Sequence, residues 1–181
     1  HGEIEVYFRA GPVPKGTYEN ALVLKDEAVK VAYPQTNIFV VNADVLSIAA
    51  DLPEKEVAVI NVCNPMHLWR RTPGTAELHQ EEAILAQTSV ALALNSIVYP
   101  MEDYMAVYVP NVAVNRDGLD SGFAFYTDPK RVDVANMTDM LIKGANESYH
   151  YTLQQLRNKF EMVLRVCLLH KKRFVVFPPF G

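Results

Sequence analysis

The segment Glu56-Val57-Ala58-Val59-Ile60-Asn61-Val62 constrains the fold more than any other stretch. Past Glu56 it carries no charge, and its apolar residues do not alternate with polar ones. A strand with one wet face shows that alternation, whereas a strand covered on both faces reads as a continuous apolar run. The pattern therefore predicts a central strand with helices above and below it. Shorter runs of the same kind predict strands at Ile4–Phe8, Asn37–Asn42, Met105–Val109, Gly122–Tyr126, Arg131–Met137 and Phe174–Phe177. Between them, apolar residues at helical spacing predict helices over Ala21–Ala32, Val45–Leu52 and Ala76–Ile97. A last helix is expected from Asn146 or Ser148 to about His170. Strands alternating with helices give an α/β chain: a three-layer α/β/α domain with a largely parallel or mixed central sheet. At 181 residues, with no internal repeat, a single domain over residues 1–181 is expected.

Composition removes several classes of function. Half the residues are hydrophobic, which is ample for a core, so disorder is not expected. The net charge of −4 argues against general affinity for nucleic acid, which needs a basic face. The two cysteines, Cys63 and Cys167, each sit in an apolar stretch and read as reduced core thiols. That usage suits an intracellular protein, cytoplasmic or nuclear. No CxxC pair and no cysteine–histidine cluster is present, and the histidines lack ligand spacing, so neither a metal nor another cofactor is expected. The longest apolar run, Ala83–Leu94, is interrupted by Gln87, Thr88 and Ser89 and is too short to span a bilayer. Neither a phosphate-binding GxxxxGK[ST] loop nor a GxSxG elbow occurs.

In sheets of this type ligands bind beyond the carboxyl ends of the strands, here after Val62, Val109, Met137 and Phe177. Three local signals stand out, two of them just past an expected strand. Gln80-Glu81-Glu82 opens a helix. Acidic residues there complement the helix dipole, or one of them faces a cleft as a general acid/base. Adjacent helical residues point about 100° apart, so only one of Glu81 and Glu82 can take that role. Asn61-Val62-Cys63-Asn64-Pro65 comes at the end of the central strand; its Asn-Pro initiates a turn, or an asparagine amide there holds a sugar hydroxyl. Asp44 stands before a helix as an N-cap, or accepts a hydrogen bond from the amine of a base. Trp69-Arg70-Arg71 reads as an exposed loop or as an anion site.

These signals occur in an order that resembles the microbial type of poly(ADP-ribose) glycohydrolase, a branch of the macrodomain superfamily. The resemblance runs from about Tyr18 to Arg116. It rests on Tyr18–Pro65, on Glu77–Pro100 with Gln80-Glu81-Glu82 at a helix start, and on Met105–Asp117, which contains Tyr108-Val109-Pro110-Asn111-Val112-Ala113-Val114-Asn115-Arg116-Asp117. Leu156–Gly181 resembles the family's last helix, strand and glycine-rich loop. The resemblance implies a macrodomain-like fold that recognises ADP-ribose or ADP-ribosylated protein. It implies Glu82 as the catalytic carboxylate, which protonates the leaving ribose oxygen and then activates water. Glu81 would contact ribose hydroxyls, with Gln80 beside it. Asn64 would meet the distal ribose, Asp44 the adenine, and Phe180 the ribose and diphosphate.

One departure bears on activity. Glycolytic members carry three consecutive glycines before Gln-Glu-Glu, which lets backbone amides approach a diphosphate. Here the stretch is Pro65-Met66-His67-Leu68-Trp69-Arg70-Arg71-Thr72-Pro73-Gly74. Either Arg70 and Arg71 supply the positive charge, or the diphosphate site is lost. The second loop, Phe177-Pro178-Pro179-Phe180-Gly181, has one glycine where the chain stops, as a domain trimmed at its C-terminus would. Two functions follow as expectations. One is an ADP-ribose-recognising domain that hydrolyses ADP-ribosyl O-glycosidic bonds. The other is a catalytically inactive scaffold that contacts a protein partner through the Met66–Thr75 loop. A nucleic-acid reader built on Arg70, Arg71 and Lys171-Lys172-Arg173 is opposed by the net charge.

Overall fold

The central strand lies at Val57–Cys63 (β3) and is covered on both faces. Val57, Val59 and Cys63 face one layer, and Ala58 and Ile60 face the other, all at 0% exposure. The computed structural model describes residues 3–9, 21–24, 35–68, 80–138 and 153–179. Among these, six strands form one mixed sheet in the order β2-β1-β4-β5-β3-β6. The others are β1 (Glu5–Arg9), β2 (Ala21–Leu24), β4 (Met105–Arg116), β5 (Phe125–Thr138) and β6 (Phe174–Val176). β3 pairs in parallel with β5 and β6, and β1 with β2, while β4 runs antiparallel to β1 and β5.

Helices α1 (Val45–Ala50), α2 (Gln80–Gln87) and α3 (Val90–Leu94) cover one face, and α4 (Leu153–Leu169) covers the other. Leu46, Ile84, Val90 and Leu94 pack on Val59, Val107 and Val134. On the far side Met162, Val163, Val166 and Cys167 pack on Ala58, Ile60, Ala106 and Tyr108. Each fully buried aliphatic side chain stabilises the fold by about 1.5–3 kcal/mol. Both cysteines are buried free thiols, and burial pushes the Cys167 thiol up to about 12. Among the described residues, no helix is long and apolar enough to cross a membrane.

Several expectations need correction. Ala21–Leu24 is not helical but the edge strand β2, because its aliphatic residues find the open edge of β1 (Val6↔Ala21 to Arg9↔Leu24). The rest of that expected helix lies outside the described residues. Asn37–Asn42 forms no strand: Ile38, Phe39 and Val40 are 87%, 81% and 97% exposed, with no sheet neighbour. The helix expected over Ala76–Ile97 is two helices. Ser89 breaks it by turning its backbone to β4, with its N–H on the Ala113 carbonyl at 2.9 Å and its Oγ accepting from the Ala113 N–H at 3.0 Å. The separate strands expected at Gly122–Tyr126 and Arg131–Met137 are one strand, β5, paired with β4 as a long hairpin. Asn146 and Ser148, the expected caps of α4, lie outside the described residues.

The hairpin is interrupted on its β4 side. Pro110 has no N–H to give the ladder, and the register shifts between Val109 and Val112. Asn111 absorbs the shift at φ 57, a conformation asparagine tolerates. Its N–H is held by Asp133 Oδ1 at 2.8 Å. Because β4 is antiparallel, it enters rather than leaves at the edge where β3 and β5 end. Val109 therefore does not mark a ligand-facing carboxyl end.

Candidate active site

β3 and β5 end side by side, Cys63 opposite Thr138. Asn64 follows at once, and its side chain makes the turn: Oδ1 accepts the Met66 N–H at 2.9 Å. The Asn64 N–H donates to Glu81 Oε2 at 3.0 Å. The first turn of α2 is thus fastened to the exit of the central strand, and two of the expected residues, Asn64 and Glu81, meet directly.

Glu81 and Glu82 are both buried, each 6% exposed. Acids placed only to complement a helix dipole sit in water, and a carboxylate is rarely buried without a specific setting. Gln80, half-buried, begins the helix. Beneath α2 lies a polar layer built on Asn61 and Asn136. Asn61 Nδ2 donates to Asn136 Oδ1 at 3.0 Å and to Cys63 Sγ at 3.1 Å, and Asn136 Nδ2 donates to the Val107 carbonyl at 2.9 Å. Asn61 and Asn136 are both 0% exposed, so these bonds fix the two strand ends in one register. One signal in the sequence was the asparagine inside an otherwise aliphatic strand.

Asp44 belongs to a different set of contacts. It caps α1, with Oδ2 accepting from the Leu46 and Ser47 N–H groups at 3.0 Å each and from Ser47 Oγ at 3.3 Å. The hairpin tip packs on it: a side chain at Gly118 would lie 3.5 Å from Asp44. Beside them the Asp117 carboxyl is held below its ordinary range, first by the Gly118 N–H at 2.8 Å and then by the Tyr126 hydroxyl at 3.1 Å. Burial and then that same carboxylate push the Tyr126 phenol up. Arg70, Arg71 and Phe180 lie outside the described residues, as does the loop from Trp69 through His79. Among the described residues no group of three or more His, Cys, Asp or Glu side chains could hold a metal ion.

A mixed sheet between helical layers gives this α/β protein a macrodomain-like fold. Its fold is that of solved poly(ADP-ribose) glycohydrolases. The enzyme from Thermomonospora curvata superposes with a TM-score of 0.63 at 22% identity, over 82% of this chain and 59% of that one. The enzyme from Deinococcus radiodurans, solved with ADP-ribose, gives 0.56 at 19% identity over 73% and 58%. A mutant of the latter gives 0.57 at 16% over 78% and 76%. This chain therefore spans just under three-fifths of the length of the T. curvata enzyme. No protein-family model matches the sequence, and no curated protein does.

Proposed function

We propose that this chain binds ADP-ribose at the head of α2 and hydrolyses ADP-ribosyl O-glycosidic bonds. The observation that carries the reading is the buried pair Glu81–Glu82, fastened through the Asn64 N–H to the exit of the central strand. In this reading Glu82 donates its proton to the leaving ribose oxygen as the anomeric C–O bond breaks. Its carboxylate then takes a proton from water as that water bonds to the anomeric carbon. Glu81 contacts the ribose hydroxyls while holding Asn64, Gln80 lies beside it, and the Asn64 amide faces the distal ribose. Asp44 accepts from the adenine amine through Oδ1, since its three hydrogen bonds converge on Oδ2. Arg70 and Arg71 serve the diphosphate, and Phe180 lies against the ribose. The fold shared with enzymes solved as ADP-ribose complexes supports the ligand class.

Calorimetry with ADP-ribose tests the binding step. A measurable heat with wild type, retained in Glu82→Gln, is the expected result; none at millimolar ligand overturns the reading.

One observation favours a second reading. At the described start of the loop, the backbone amides are already engaged: the Asn64 N–H by Glu81, the Met66 N–H by Asn64, and Pro65 has none. A silent scaffold that offers the Met66–Thr75 loop to a protein partner would keep the fold and lose the heat of binding.

A further inference from the structure

Lys159 opens the apolar stripe of α4, yet it is buried, at 3% exposure. Taking an ammonium out of water is costly unless fixed acceptors surround it. Its Nζ lies 2.6 Å from Asp103 Oδ1 and donates to Thr138 Oγ1 at 2.9 Å and to the Thr138 carbonyl at 3.3 Å. Thr138 Oγ1 in turn donates to the Asp103 carbonyl at 3.2 Å. A cavity of about 10 Å³ beside it, lined in part by Met105, Met137 and Met162, is roughly the room of one water molecule, so Lys159 has little space to leave its acceptors.

The contacts continue to the site. Thr138 ends β5 opposite Cys63. Two residues before Asp103, the Met101 N–H donates to the Pro65 carbonyl at 2.7 Å. Pro65 adjoins Asn64, whose N–H lies on Glu81. A path of hydrogen bonds and short backbone links thus runs from a buried ammonium on one face of the sheet to the Glu81 carboxylate on the other. The Asn64 turn is gripped from both sides, by Glu81 and by Met101.

We infer that Lys159 is a positioning residue: through Asp103 and Met101 it sets where Asn64 stands against Glu81 and Glu82. The assignment of a ligand to that place rests on the ADP-ribose reading above; the mechanical path does not.

The test uses Lys159→Met and Lys159→Arg, with Asp103→Asn cutting the same path at a more exposed position. Amide hydrogen exchange is read at Met101, Asn64 and Ile60. Lys159→Met and Asp103→Asn are expected to speed exchange at Met101 and Asn64 by about tenfold or more, with Ile60 as protected as in wild type. Lys159→Arg restores most of the protection. Unchanged exchange at Met101 and Asn64, or equal acceleration at Ile60, overturns the inference. ADP-ribose affinity is then measured in each variant with and without Asn64→Ala. A loss of about tenfold that disappears in the Asn64→Ala background shows action through Asn64; an additive loss contradicts it. Absence of any wild-type binding sinks the ADP-ribose reading alone, and the exchange data still decide the positioning role.

Discussion

At the scale of single residues, local chemistry was legible where it was local. Asp44 was readable as an N-cap because capping needs only a short acid before a helix. Asp44→Ala is expected to cost about 1 kcal/mol, measured by urea denaturation. An unchanged midpoint would show that Oδ2 does not satisfy the first turn. Gln80-Glu81-Glu82 was readable as a helix start, but not the burial of both carboxylates, which needs the β3 exit brought against it. Lys159 was harder still. Its signal was a lone charge on an apolar helical stripe, ahead of Met162, Val163, Val166 and Cys167. Its acceptors, Asp103 and Thr138, are distant in sequence, and no spacing rule joins them.

At the scale of elements, the central strand was readable because a charge-free run can be satisfied in few ways. The errors came where tertiary partners overrode local pattern. Ala21–Ala32 has helical spacing, but a free sheet edge claimed its first four residues, Ala21–Leu24. Thr88 and Ser89 lie inside a run of good helix formers, yet a bridge from Thr88 to Val114 ends the helix. Ile38–Val41 has the composition of a buried strand and stands in water. Its solvent exposure is open to test. Val40→Lys is expected to change stability by no more than about 0.5 kcal/mol, as at other exposed positions. A loss of several kcal/mol would show that the segment is covered.

At the scale of the whole molecule, two polar systems join the layers from opposite ends of the sheet. One is the chain from Lys159 to Glu81. The other ties the end of α4 to the strands where β3 begins. His170 stacks on Tyr108 with ring centres 3.7 Å apart, and its Nε2 lies 3.0 Å from the Tyr7 hydroxyl and 3.5 Å from Glu5 Oε2. The Tyr7 hydroxyl donates to the Glu5 carboxylate, and the Tyr108 hydroxyl donates to Asp133. Asp133 also meets the buried Lys172 ammonium at 2.5 Å. Burial and then those carboxylates push both phenols well above their ordinary range. For His170, burial and the Lys172 charge outweigh Glu5 and Asp133 and hold the imidazole below its ordinary value of 6.5. The unfolded chain therefore binds this proton more readily than the folded one. The stability contributed by neutral His170 is complete above about pH 6.5 and falls as the pH drops below it. Urea titrations between pH 7.5 and 5 (approximate bounds either side of that value) are expected to show this slope. Substituting His170→Gln should flatten it, and an unaltered slope would place the proton elsewhere.

Both systems hold the sheet beside the edge where Asn64 meets Glu81, with Glu82 next to it in α2. The proposed reaction has Glu82 cutting ADP-ribosyl bonds at that edge. Release of ADP-ribose from poly(ADP-ribose) is measured for wild type and for Glu82→Gln. Turnover by wild type, lowered by about a hundredfold or more in Glu82→Gln while calorimetric affinity for ADP-ribose is kept, is the expected result. Equal release by the two proteins, or none from wild type despite tight binding, would contradict it.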